Sequence, residues 1–164
     1  KAYESLEVVR DFSAVVNRGE KIVIVGRNGV GKTTLLNALL ADAPGVDLIL
    51  TGGLLRKQSL SIQGSQAETC LQAYSFDKLF LGVDGFDLQF GVTTHHEAQA
   101  SLNHKMVERA KKIIVLTDAS KFGRVSLHRI VQMDRVDTVI TDASISQEYR
   151  EGLQKLGIEL FIAE

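Results

Sequence analysis

This sequence predicts an α/β fold: a three-layer, mainly parallel Rossmann-like sheet with helices on both faces. Three observations lead there. Short apolar, β-branched runs recur along the chain and alternate with stretches of helical composition. One of these runs feeds a glycine-rich turn and then a helix, which puts that turn at the C-terminal edge of a strand. A length of 164 residues, 45% hydrophobic and 24% charged, suits one ordinary globular core. We therefore expect a single domain over residues 1–164.

The elements follow in order. Residues 7–9 and 13–16 read as short strands, with a turn at 17–20. Residues 21–25, KIVIV, have the look of a buried parallel strand. Residues 32–40, KTTLLNALL, have helical composition and are stopped by Ala43-Pro44-Gly45. Residues 46–50 are a second buried-strand candidate, and 63–74 read as a helix. Residues 78–83, KLFLGV, form a third strand, and 84–94 a glycine-punctuated loop or small hairpin. The longest helical stretch is 95–111, with Ala98, Leu102, Met106 and Ala110 on one face. Residues 113–117 and 138–141 are strands, and 127–132 a short helix. Ser146 can cap a helix to Leu156 that Gly157 ends, ahead of a last strand at 158–162.

The totals exclude several classes. A net charge of −1, from 19 basic and 20 acidic residues, argues against a broad basic face for nucleic acid. It leaves room for a small anion, which needs only local charge. Cys70 is the single cysteine, so an internal disulfide and a multi-thiolate metal site are ruled out, and it reads as a small buried apolar residue. No signal peptide is evident, and no apolar run reaches the roughly 18 residues of a membrane span. A cytoplasmic location is expected. The first residue, Lys1, suggests a fragment rather than a natural start.

Gly26-Arg27-Asn28-Gly29-Val30-Gly31-Lys32-Thr33 fits the P-loop pattern G-x-x-x-x-G-K-[ST]. Glycines let the backbone turn sharply and converge its N–H groups, and the helix that follows adds its positive end. Lys32 supplies charge toward β- and γ-phosphates, and the Thr33 hydroxyl can ligate Mg²⁺. Thr34 is a secondary contact. A nucleotide such as ATP with Mg²⁺ is the expected ligand.

As a block, residues 1–44 resemble the start of an ATP-binding cassette ATPase, on the stretch NRGEKIVIVGRNGVGKTTLLNALL. The resemblance implies that Tyr3 could stack on adenine; a frayed terminal tyrosine is the alternative. The rest of that apparatus is missing: there is no LSGGQ-type signature. The strand IIVLTD ends in Asp118 and VITD in Asp142, as a metal-holding Walker B segment would, but neither is followed by the family's glutamate. Asp118 is the candidate for Mg²⁺, and hydrolysis, if any, is expected to be weak.

From Val46 to Glu164 the chain resembles the effector-sensing domain of DeoR-type bacterial sugar repressors, of the galactitol-utilisation kind. The motifs are DLILTGGLLRKQSLSIQGSQAE, DKLFLGVDGFDLQFGVTTHHEA and IIVLTDASKFGR. The resemblance implies a Rossmann-like sheet that takes a phosphorylated sugar near the C-terminal ends of its strands. It also implies a possible homo-oligomer. The ligand-facing candidates by position are Asp84, Thr93, Glu97, Asp118 and Lys121. Lys121 offers a cation to phosphate, Asp84 and Glu97 accept sugar hydroxyls, and Gly91-Val92-Thr93-Thr94 offers donors. The alternative is that Asp118 and Lys121 merely pair at a loop and that Glu97 caps a helix N-terminus. That family's N-terminal helix-turn-helix is not seen here, so direct DNA binding is not expected.

Together the two resemblances predict an engineered or recombined chimera, with the join at 41–45. The leading reading is a nucleotide- or phosphate-binding P-loop protein with little or no hydrolysis. The alternatives are a sugar-phosphate sensor, a weak ATPase, and a folded chimera without selected activity. His95, His96, His104 and His128 lack the close spacing of a helical metal pair and read as solvated. The partner expected is a small phosphorylated ligand, with no membrane.

Overall fold

The computed structural model describes residues 61–163 continuously, together with residues 2–3, 6–7, 19, 21–25, 49 and 51–56. Strands β1 (Ala2–Tyr3) and β2 (Leu6–Glu7) pair antiparallel. β3 (Ile22–Val25) follows, then a hairpin of β4 (Leu54–Arg56) and β5 (Ser61–Gln63). Helix α1 (Ser65–Gln72) leads to β6 (Phe76–Gly82), and β7 (Gly85–Asp87) and β8 (Gly91–Thr94) form a ribbon. Helix α2 (Glu97–Arg109) runs directly into β9 (Ala110–Leu116). After β10 (His128–Val131) come β11 (Thr138–Asp142), α3 (Gln147–Lys155) and β12 (Glu159–Ala163).

The main sheet has the order β12-β11-β9-β6-β3, with every pair parallel. Its central strands are the near-continuous apolar runs expected of a sheet buried on both faces. Leu79, Leu81, Ile113, Val115 and Val139 on one face are at most 1% exposed, and Phe80 and Ile114 on the other are 6–7% exposed. Each step along this order moves to the next neighbour in the same direction. Right-handed crossovers therefore put the connecting helices on one face. Accordingly Ala67 and Leu71 of α1, Leu102 and Met106 of α2 and Leu153 of α3 all join one core cluster with Leu79, Ile113 and Val139. The expected helices on both faces are thus corrected for α1–α3. Alternation of strands and helices in sequence is the same for either winding, because only strand order decides it.

Four local expectations also change. Residues 127–132 are not a helix: β10 pairs antiparallel with β8, His128 opposite Thr94. A run this short gains one helical turn at best, whereas the edge of β8 offers backbone partners and the core accepts Ile130 and Val131. In α2 the buried stripe is Ala100, Leu102, Asn103, Met106 and Val107, and Ala98 is exposed. Ser146 occupies the N-cap of α3 but its side chain makes no capping hydrogen bond. Cys70 is half-buried rather than buried. Gly157, at φ 72°, ends α3, with the Ile158 amide donating back to the Leu153 carbonyl at 3.0 Å. The 84–94 segment is the hairpin. Asp87 Oδ1 accepts from the Gln89 and Phe90 amides, and Gly91, at φ 87°, lies so close to the Val131 carbonyl that no side chain fits.

Candidate functional site

Gly82 of β6, Leu116 of β9 and Ile140 of β11 lie side by side in register. Two residues beyond each stands an aspartate: Asp84, Asp118 and Asp142. This is the C-terminal edge of the sheet, where loops leave and ligands are received in parallel α/β folds. The three carboxylates are held differently.

Asp84 is 7% exposed. Its Oδ2 accepts from Thr94 Oγ1 at 2.7 Å and from the His95 amide at 3.1 Å, and its own amide donates to the Thr93 carbonyl. Thr93, also buried, accepts at Oγ1 from the Ser126 amide at 2.9 Å. Both threonine hydroxyls expected to face a ligand are therefore engaged within the fold. Glu97 is exposed and opens α2, where a carboxylate suits the helix dipole, but His96 holds the N-cap position and no side chain makes a capping hydrogen bond there.

Asp118 caps a single 3-10 turn, Ala119–Lys121, by accepting from the Ser120 amide at 3.0 Å. Lys121 Nζ sits 3.7 Å from Asp118 Oδ2 and 3.4 Å from Ser120 Oγ. Partial burial opposes ionisation of Asp118, but hydrogen bonds with Ser120 and the Lys121 charge outweigh it and hold the carboxyl below its usual range. Asp142 Oδ2 accepts from the Ala119 amide at 2.7 Å and Oδ1 from the Ser144 amide at 2.9 Å. The Ala119 amide bond is the main reason that the Asp142 carboxyl also stays below the ordinary range, against partial burial.

The segment after this turn lies across the β7–β8 ribbon. The Gly123 amide donates to the Phe86 carbonyl at 2.9 Å, and Phe86 and Phe122 form a parallel bridge. Their rings stand 4.8 Å apart, and Tyr149 of α3 meets Phe122 edge-on at 5.0 Å. Burial, then the Asp87 and Glu148 charges, push the Tyr149 phenol up. With the Ser126–Thr93 bond, these contacts join the Asp118–Lys121 turn to the strand pair that holds Asp84. The structure thus links Asp84, Thr93, Asp118 and Lys121 through one set of contacts and leaves Glu97 at the start of a helix.

Sequence reasoning missed Ser126, Phe122 and Tyr149, whose roles arise only from folding. Asp142 did carry a signal, the apolar-strand-then-Asp pattern, but it reads there as a metal ligand rather than an anchor. His104 Nδ1 contacts the Ile130 carbonyl at 3.1 Å and its Nε2 lies 3.5 Å from Glu108. Among the described residues, no group of three or more His, Cys, Asp or Glu is placed to hold a metal. Gly26, Asn28, Gly29, Val30, Gly31, Lys32, Thr33 and Thr34 lie outside the described residues, as does the side chain of Tyr3. β3, which leads into that segment, pairs Val25 with Leu81, so its C-terminal end shares the edge of the sheet that bears Asp84.

The DeoR C terminal sensor domain family matches residues 30–143. A putative aga operon transcriptional repressor of Escherichia coli O157:H7 is 51% identical over 140 residues, 85% of this chain and 51% of that protein. The HTH-type transcriptional repressor GlcR of Bacillus subtilis is 32% identical over 162 residues, 96% of this chain and 61% of that one. The HTH-type transcriptional regulator GlpR of Haloferax volcanii is 36% identical over 109 residues, 66% of this chain and 43% of its own length. The chain therefore spans about half the length of the curated relatives it matches. The family match begins inside the glycine-rich segment, and the GlcR match runs across residues 41–45. Neither supports a separate ATPase-like origin for residues 1–44 or an engineered join. The pattern G-x-x-x-x-G-K-[ST] fixes only four of its eight positions, so a match to it alone does not set the family. No helix among the described residues is long and apolar enough to cross a membrane.

Proposed function

Because the chain belongs to the DeoR C-terminal sensor domain family, we propose that it is the effector-sensing part of a DeoR-type transcriptional repressor and that its effector is a phosphorylated sugar. The observation that carries this reading is the state of Lys121. Its ammonium is partly exposed at the strand-end edge, with its nearest partners at 3.4 and 3.7 Å, long for hydrogen bonds. A phosphate offers charge-assisted bonds of about 2.7–2.9 Å instead. Such a group would replace weak contacts rather than break strong ones.

In this reading Asp118, more than half exposed and ionised at neutral pH, accepts sugar hydroxyls beside the phosphate. Asp84 and Thr93 shape the wall behind it, and Glu97 lies at the rim. Residues 26–33 follow β3 in sequence, and in this reading their glycines, Lys32 and Thr33 supply a second set of phosphate donors. The same residue types would suit Mg-ATP, with Thr33 and Asp118 as metal ligands. The family assignment favours the sugar phosphate. The proposal gives these 164 residues sensing, not the reading of DNA.

Thermal melting with galactitol phosphate, inorganic phosphate and Mg-ATP tests it. A ligand at 100 times its Kd adds about 2.7 kcal/mol of stability. The sugar phosphate is expected to raise the melting temperature of the wild type and not of Lys121→Ala. An undiminished sugar-phosphate shift in Lys121→Ala rejects this site. A shift given by Mg-ATP alone, and lost in Lys32→Ala, returns the nucleotide reading.

A further inference from the structure

We propose that Asp142 is the positioning residue of this anion site: its single hydrogen bond to the Ala119 amide fixes the turn that carries Asp118 and Lys121. The inference rests on the effector reading above and adds a residue that need not touch the effector.

The backbone amides of the turn show why. Ala119 donates to Asp142 Oδ2 at 2.7 Å, Ser120 to Asp118 Oδ1 at 3.0 Å and Lys121 to the Asp118 carbonyl at 3.1 Å. Phe122 donates to the Ala119 carbonyl at 3.4 Å and Gly123 to the Phe86 carbonyl at 2.9 Å. Every amide from 119 to 123 is engaged within the protein. The turn therefore offers an anion no nest of N–H groups, only the ammonium of Lys121, and binding depends on where the backbone holds that side chain.

The turn is pinned at two ends. At its exit, Gly123 and Phe122 are fastened to Phe86. At its entrance, the Thr117 amide still donates to the Ile140 carbonyl at 3.1 Å, continuing the β9–β11 pairing. Asp142 extends that attachment by two residues through a side chain. Its bond to Ala119 is the shortest of the five and is charge-assisted, a class worth roughly twice a neutral one. Asp142 is itself fixed, since its other oxygen takes the Ser144 amide and its backbone pairs with Ala163. With both oxygens engaged, it acts on Lys121 through the turn rather than on a ligand directly.

The test titrates the 164-residue chain with inorganic phosphate and galactitol phosphate by calorimetry, in wild type, Lys121→Ala, Asp142→Asn and Asp142→Ala. The Ala119 amide is followed by NMR. Asp142→Ala is expected to weaken both probes roughly tenfold or more, the effect of losing a charge-assisted bond. Asp142→Asn keeps an oxygen for Ala119 and is expected to fall between, about two- to fivefold weaker. The Ala119 amide resonance should move in the same order, even where melting temperatures of the two variants coincide. Affinity that is unchanged in Asp142→Ala, while Lys121→Ala has lost it, overturns the proposal. Should Asp142→Ala not fold, unchanged affinity and an unshifted Ala119 amide in Asp142→Asn overturn it instead. A wild-type chain that binds neither probe overturns the effector reading, and this inference with it.

Discussion

At Gly85 there is no room for a methyl group. A Cβ would stand 2.5 Å from the Arg124 carbonyl oxygen and 2.6 Å from Thr93 Oγ1. One of those atoms is backbone and the other accepts the Ser126 amide, so neither can retreat without moving the segment that covers the site. Gly85→Ala should therefore destabilise the protein by about 1–3 kcal/mol, the usual cost of overpacking, and weaken phosphate binding as well. Gly52, with no atom of the described residues within 4 Å of its Cβ position, is the comparison: Gly52→Ala should change stability by less than about 0.5 kcal/mol. Urea denaturation of both variants measures the difference, and equal midpoints would mean that the loop over Gly85 yields freely. None of this was legible in the sequence, where both glycines sit in glycine-punctuated stretches. Asp118 and Lys121 were legible as a pair, because an acid and a base three residues apart after an apolar run can hardly avoid each other. What they do together depends on Asp142, 21 residues further along.

Among the elements, the β7–β8–β10 ribbon connects the site to the core. Phe86 of β7 is fully buried, its ring against Phe122, and Phe122 in turn meets Tyr149 of α3. Phe86→Ala should cost about 3–5 kcal/mol, as large-to-small changes in cores do, whereas Phe122→Ala, at a half-buried position, should cost less. Equal losses in a denaturation series would place the main packing at Phe122 instead. The sequence announced the strands of the main sheet clearly, since KLFLGV and IIVLTD are too apolar to lie anywhere but inside. It did not announce β10, because HRIV is a fair strand only when β8 is beside it, nor the β4–β5 hairpin, half of whose residues are polar or charged. On the α2 face Leu102, Met106 and Ala110 are buried as the period requires, and only Ala98 satisfies the period yet is exposed. In each case the period of the sequence was right or neutral, and a tertiary partner decided the outcome.

On the scale of the whole molecule, the ordered parallel sheet couples the site to global stability. β6 and β9 lie at its middle, and their residues Leu79, Leu81, Ile113 and Val115 are at most 1% exposed. Amides there should exchange with solvent only when the entire sheet opens, while those of the β4–β5 hairpin open locally. The proposed effector site is built from the far ends of these same strands together with β11, so it cannot survive their separation. A ligand bound only to the folded state then slows every globally exchanging amide by the same factor. At 100 times its Kd, galactitol phosphate should slow exchange at Leu79, Leu81 and Val115 by about 100-fold, equivalent to 2.7 kcal/mol. Lys121→Ala should show no such slowing, and inorganic phosphate should match the effect at its own multiple of Kd. Protection gained only at residues 118–126, with the β6 and β9 amides unaffected, would mean that binding reports on local closure of the turn. In that event the sheet would be a platform for the site and not part of the sensing unit.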